Sequence, residues 1–119
     1  MSPNFILLYV ANPQASADFY TGLLGVPTIE TSPTFAMLKL ESQMLGLWKR
    51  DTVEPAAPSG AANGELAFAV ESTEAVDTQH RDWSERGLTI LQAPTRMDFG
   101  HTFTATDPDG HRLRVFCPG

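Results

Sequence analysis

The sequence predicts an α+β domain made of two βαβββ modules, whose uncovered sheet faces wall a cavity if they curl inward. Three observations carry that prediction. The segments "FILLYVANPQASADFYTGLLGVPTI" and "ELAFAVESTEAVDTQHRDWSERGLTI" share one layout, a short strand followed by a helix that ends at glycine and then further strands. Aligning Val10 with Val70 sets Phe5 opposite Glu65, and a small adjustment in the strand-to-helix loop sets Gly25 opposite Gly87, so the chain is an internal repeat of supersecondary units. Each repeat is then followed by strand patterns broken by turn residues, "DPDG" being the strongest of these.

Taken in order, "FILLYV" alternates between Ile6, Leu8 and Val10 on one side and Phe5, Leu7 and Tyr9 on the other, the pattern of a strand. The first helix is expected to start at Asn12, whose side chain can cap it, with Pro13 at the tolerated first position and Gly25 closing it in a left-handed conformation. Phe19, Leu23 and Leu24 need a sheet face to cover, which assigns the uniformly aliphatic strand sets to the helix side. "PTIET", "FAMLKL" and "QMLGLWKR" complete the first module, residues 3 to 50. The stretch "RDTVEPAAPSGAANG", rich in Pro, Ala and Gly, reads as a linker over 51 to 63. In the second module, 64 to 119, "ELAFAV" places Leu66, Phe68 and Val70 opposite to Glu65, Ala67 and Ala69, and a helix starts near Ser72 or Thr73 and stops at Gly87. "LTILQAP", "TFTATD" and "RLRVFC" follow as strands, the last with Leu113, Val115 and Cys117 on one side and Arg112, Arg114 and Phe116 on the other.

With 119 residues, 42% apolar and 18% charged, the chain has the size and composition of one globular domain. A net charge of -6 opposes binding to polyanions, so nucleic acid is not an expected partner. The apolar run "FILLYV" lacks a basic lead-in and is too short for a signal peptide or membrane span, and no membrane association is expected. The single cysteine, Cys117, cannot close an intrachain disulfide, which fits a cytoplasmic protein.

The two modules, the helix "SADFYTGLLG" and the closing "TDPDGHRLRV" together resemble the vicinal oxygen chelate superfamily, which includes glyoxalase I, extradiol dioxygenases, fosfomycin-resistance transferases and bleomycin-resistance proteins. "LGLWKR" and "DFGHTFTATDPDGHRLRV" look closest to the phenazine-antibiotic resistance proteins, where an aromatic drug is held rather than transformed. Metal-using members place a His on the first strand, a His on the fifth and a Glu on the eighth, leaving open positions on a divalent ion for substrate. Carried over by this resemblance, those positions fall on Phe5, Glu65 and Arg114. Only Glu65 can coordinate a metal, and a cation at Arg114 repels one, so an ion pair between Glu65 and Arg114 is expected in place of the metal, with no cofactor, the alternative being that Arg114 reaches solvent through a wide mouth. The resemblance also implies a glyoxalase/bleomycin-resistance-like arrangement of curved sheets around a cavity, and a homodimer with modules pairing either within a chain or across it.

Around that pair, Trp48 reads either as a core or dimer-interface residue or as a flat platform for an aromatic ligand, and the resemblance favours the platform. The stretch "PTRMDFGHTF" brings Met97, Phe99 and His101 around Gly100, either as a lid over a pocket or as a plain hairpin connection. Trp83, on the second helix, reads as packing, and His80 and His111 as surface residues. The expected ligand-binding set is Trp48, Phe99, Glu65, Arg114, Phe5, Tyr9, Met97 and His101, with no catalytic residue, and the expected function is metal-independent binding and sequestration of a small planar or aromatic compound, with antibiotic resistance as its role. Two alternatives stay open: a metal-dependent lyase, isomerase or dioxygenase using Glu65 and His101 as displaced ligands, and an interaction domain with a vestigial cavity.

Overall fold

In a computed structural model, which describes residues 3 to 57 and 65 to 119, the chain forms two compact units divided near Gly60. The first unit runs β1 (Phe5–Val10), α1 (Pro13–Leu24), β2 (Thr28–Ser32), β3 (Phe35–Lys39) and β4 (Met44–Lys49). The second runs β5 (Glu65–Ala69), α2 (Thr73–Glu85), β6 (Thr89–Met97), β7 (Gly100–Thr106) and β8 (Arg112–Pro118). Each unit is therefore the βαβββ module that the repeat predicts. Of the expected linker, Arg50–Thr52 forms a single 3-10 turn and Val53 is buried, while residues 58 to 63 lie outside the described residues.

The helix ends follow from their caps. Asn12 Oδ1 accepts hydrogen bonds from the backbone N–H groups of Gln14 and Ala15 at 3.0 and 3.1 Å, and Gly25 ends α1 at φ 67°. Ser72 Oγ accepts one from Ala75 at 3.0 Å, and the chain leaves α2 through Gly87 at φ 87°. The buried stripe of α1 is Pro13, Ser16, Ala17 and Tyr20, at the spacing of one helix face, whereas Phe19, Leu23 and Leu24 are only half-buried. The helix thus settles through small residues and one fully buried tyrosine, and Phe19 meets Tyr20 edge to face with ring centroids 5.0 Å apart.

Strand order is β1-β4-β3-β2 in the first sheet and β5-β8-β7-β6 in the second. In both, the first strand runs parallel to the fourth and the remaining pairs are antiparallel. Because side chains alternate, one sheet face packs under its helix and the other is left open. Val10, Ala36, Leu38, Leu45 and Leu47 form the covered face of the first sheet, and Phe103, Ala105, Leu113 and Val115 that of the second. Trp83 joins the latter core as predicted, edge to face against Phe68 at 5.9 Å and Phe103 at 5.4 Å. Both sheets also carry a bulge at the same place in the repeat, at Ile29 between Thr28 and Glu30 and at Leu91 between Ile90 and Gln92.

The surface reading of two histidines is corrected. His80 packs its ring against Phe103 with centroids 5.3 Å apart. His111 is nearly covered, its Nδ1 2.7 Å from Oδ2 of fully buried Asp107. Oδ1 of the same carboxylate accepts from the backbone N–H groups of Asp109 and His111, at 2.9 and 2.8 Å. Asp107 thereby ties the DPDG turn to the end of β7, with Gly110 at φ 88° completing it.

Candidate functional site

Arg114 stands on the open face of the second sheet, in the middle of β8, and its side chain is 16% exposed. Ala67, its register partner on β5, is too small to cover it, so the guanidinium extends past it to Glu65. Arg114 Nε donates to Glu65 Oε1 at 2.7 Å and Nη2 donates to Oε2 at 3.0 Å, a two-pronged pair. Nη1 donates to Gln92 Oε1 at 3.2 Å and to Thr102 Oγ1 at 3.1 Å. Thr102 Oγ1 in turn donates to the Val115 carbonyl at 2.8 Å, and Thr104 Oγ1 donates to Gln92 Oε1 at 3.3 Å. The hydrogen bonds from Arg114 hold the Glu65 carboxyl below the usual carboxylate range against the opposing effect of burial, and the same bonds raise Arg114. Both groups are therefore ionised across the physiological range.

The stretch offered as a lid is a hairpin. Strand β6 continues to Met97, β7 starts at Gly100, and only Asp98 and Phe99 form the turn. Gly100 sits at φ 142°, where a Cβ would lie 1.9 Å from the Cys117 carbonyl oxygen. Only glycine lets the turn close so tightly against β8. The turn folds Phe99 onto the sheet, with its ring edge to face against Phe116 at 6.0 Å and Arg114 Cζ over the Phe99 ring, 5.6 Å from its centroid. Gln92 Nε2 lies 3.4 Å from Met97 Sδ, which brings Met97 to the same group.

Of the sequence-predicted set, Glu65, Arg114, Phe99 and Met97 thus come together. His101 does not. It stands opposite Cys117 on the helix side of the sheet, with Nε2 2.9 Å from Asp77 Oδ1 of α2. Glu65 and His101 consequently lie on opposite faces and do not assemble into the displaced ligand pair. Gln92, Thr102, Thr104 and Phe116 were not in the predicted set. The threonines were available from the alternation of "TFTAT", which shares its face with Arg114. Gln92 was hidden by the bulge, since simple alternation sets it beside Ile90 on the covered face.

Phe5, Tyr9 and Trp48 gather on the open face of the first sheet. Tyr9 is the register partner of Trp48, and their rings meet edge to face at 6.3 Å. Phe5 pairs with Met44 one edge away and is 54% exposed, and Leu7 between them is 46% exposed. Leu7 and Phe35 lean over Gly46, so closely that a Cβ there would meet Leu7 Cδ2 at 2.6 Å and Phe35 Cζ at 2.8 Å. The first sheet therefore presents an apolar, ring-bearing surface.

The family model of the glyoxalase/bleomycin resistance protein/dioxygenase superfamily matches residues 2 to 115. The chain belongs to this superfamily. A phenazine antibiotic resistance protein, EhpR of Enterobacter agglomerans, is 29% identical over 122 residues, covering 99% of this chain and 92% of that protein. The solution structure of protein ATC0852 from Agrobacterium tumefaciens is 50% identical, covers 100% of this chain and 98% of its own, and superposes with a TM-score of 0.90. A glyoxalase/bleomycin resistance protein/dioxygenase family enzyme from Burkholderia phytofirmans is 21% identical, covers 98% of both chains, and shares the fold with a TM-score of 0.83.

The positions that the resemblance assigns to metal ligands do not, taken one by one, fit a divalent ion. Phe5 offers no donor atom, Arg114 carries a positive charge, and both Glu65 oxygens already accept from Arg114. Among the described residues, no three His, Cys, Asp or Glu side chains gather closely enough to hold a metal ion.

Proposed function

We propose that this superfamily member binds and sequesters a small planar aromatic compound without a metal, as an antibiotic-resistance protein does. The observation that carries the proposal is the Arg114 group. Where the resemblance expects a metal-binding carboxylate, a cation is neutralised by Glu65, anchored by Gln92 and Thr102, and flanked by the Phe99 ring. A mostly apolar, ring-lined site with a few fixed polar atoms is what retains a planar heteroaromatic and sets its orientation. Trp48 and Tyr9 offer the same kind of ring surface on the first unit. The similarity to a phenazine resistance protein supplies the compound class to try first. The same reading has the protein acting in the cytoplasm as a homodimer, which sedimentation of the purified chain tests. Among the described residues, no helix is long and apolar enough to cross a membrane.

The experiment is calorimetric titration of chelator-treated protein with phenazine. Saturable binding is expected, unchanged when zinc, manganese, nickel or iron(II) is restored. Phe99→Ala is expected to weaken it by about tenfold, since an aromatic contact contributes roughly 0.5–1.5 kcal/mol beyond buried area. Binding that appears only after a metal is restored would return the protein to the metal-dependent branch of the superfamily.

A further inference from the structure

We infer that Glu65 sets the charge class of the ligand: by occupying the guanidinium fork of Arg114, it makes this site take uncharged planar heteroaromatics carrying a hydrogen-bond acceptor and turn away aryl carboxylates. The inference rests on the binding function proposed above and goes further by naming what the site accepts.

An arginine on a sheet face is by default a carboxylate receptor, because its planar fork matches two carboxylate oxygens. Here the matching surface is already spent. The Nε and Nη2 prong goes to Glu65, and both hydrogens of Nη1 go to Gln92 and Thr102. Guanidinium carries five N–H donors, and these contacts use four of them, leaving one Nη2 hydrogen for a ligand. A single N–H suits one ring nitrogen or carbonyl oxygen. It does not suit a carboxylate, which loses its water shell and receives one hydrogen bond in return.

The charge balance points the same way. Glu65 and Arg114 neutralise each other, and although Arg112, the register partner of Glu65, adds a positive charge beside the pair, an anion approaching the fork meets the Glu65 carboxylate there. The groups that touch Arg114 besides Glu65 are neutral: Gln92 and the buried Thr102 are held in hydrogen bonds of their own with Thr104 and the Val115 carbonyl, and Phe99, packed on Phe116, supplies a ring. The chain's net charge of -6 adds a weak long-range preference of the same sign. Glu65 stays ionised throughout the neutral range because Arg114 holds its carboxyl low, so the neutral pair persists at working pH.

The test compares phenazine with phenazine-1-carboxylate at pH 7.5, by calorimetry, on the wild-type chain and on Glu65→Gln. The wild type is expected to prefer phenazine by about tenfold or more, the cost of one like-charge contact. Glu65→Gln keeps the shape and removes the charge, and the preference is expected to vanish or invert through tighter binding of the carboxylate. A wild type that binds the carboxylate as tightly as phenazine overturns the inference and leaves the sequestration reading standing, and this comparison needs no variant to fold. An unchanged ratio in folded Glu65→Gln also overturns it. Failure of the wild type to bind either compound sinks both the inference and the reading beneath it.

Discussion

On the first sheet Leu7 stands beside Gly46, and at the matching place on the second Ala67 stands beside Arg114. Large and small have changed partners. In the first unit the strand-one side chain leans across the glycine together with Phe35, closing the face with carbon. In the second the strand-one side chain is a methyl group, and the long residue comes from the fourth strand, carrying a charge into the open face. Everything beneath is shared: parallel first and fourth strands, a capped helix with a glycine exit, and a bulge near the start of the third element. The repeat therefore fixes the covered faces, which need apolar volume at fixed alternation, and leaves the open faces free to diverge. One became an aromatic surface and the other a hydrogen-bonded ion pair.

The largest effect expected from breaking this comparison lies in a place where the units differ, the β6–β7 hairpin. Gly100→Ala puts a methyl group into the Cys117 carbonyl at a backbone angle that side chains rarely adopt. A loss of about 3 kcal/mol is expected, combining strain with overpacking against backbone that cannot yield. Urea denaturation followed through the indole NMR signals of Trp48 and Trp83, one in each unit, measures it. A loss under about 1 kcal/mol would mean that the hairpin relaxes and that Phe99 is not held by it.

A smaller effect is expected from Gly46→Ala in the first unit. The intruding Cβ meets the ends of Leu7 and Phe35, which can move, so the cost is about 1–2 kcal/mol. Adding Leu7→Ala imports the size pattern of the second unit and is expected to recover part of that loss. Additive losses in the double variant would show that the exchange of large and small is not coupled across the two strands.

The helix caps sharpen the comparison at the level of local structure. Asn12 satisfies two backbone donors and Ser72 one. Asn12→Ala is expected to cost about 1 kcal/mol or slightly more, and Ser72→Ala somewhat less. Equal losses in thermal or urea unfolding would mean that the second bond to Asn12 contributes nothing.

These caps were legible because they depend on residue type within one turn of the helix. So was the covered face of each strand, since a two-residue period survives any tertiary context. The open face was legible only in part. Arg114 and Glu65 were expected to pair, and their side chains do, because both lie on strands without a register shift. Gln92 escaped because the bulge at Leu91 turns it over to the open face until a second shift before Thr95 restores the alternation, and nothing in "TILQAP" marks the extra residue. Pro94 looked like a strand end, yet β6 runs past it. A second register shift between Gln92 and Thr95 spares the ladder the N–H that proline lacks. His101 could have been placed, because alternation back from Phe103 already puts it on the helix side. What misled the reading was its neighbourhood in sequence to Phe99, which the tight turn at Gly100 separates from it in space.

The smallest effect on stability is expected at the residue with the largest proposed effect on ligand choice. The Glu65–Arg114 pair is partly open to water, with side chains 28% and 16% exposed, so its net contribution to folding is about 0.5–1 kcal/mol. Because the folded carboxyl titrates below its unfolded value, that contribution is complete above the ordinary carboxylate range and disappears as pH falls through the lower folded value. Glu65→Gln is therefore expected to trail the wild type by a constant small margin near neutral pH, with the gap closing in acid. Urea midpoints measured on both proteins down a pH series test this. A gap that stays open in acid would assign the loss to packing at residue 65 rather than to charge. It would then be the shape of the fork, and not its neutrality, that distinguishes the second open face from the first.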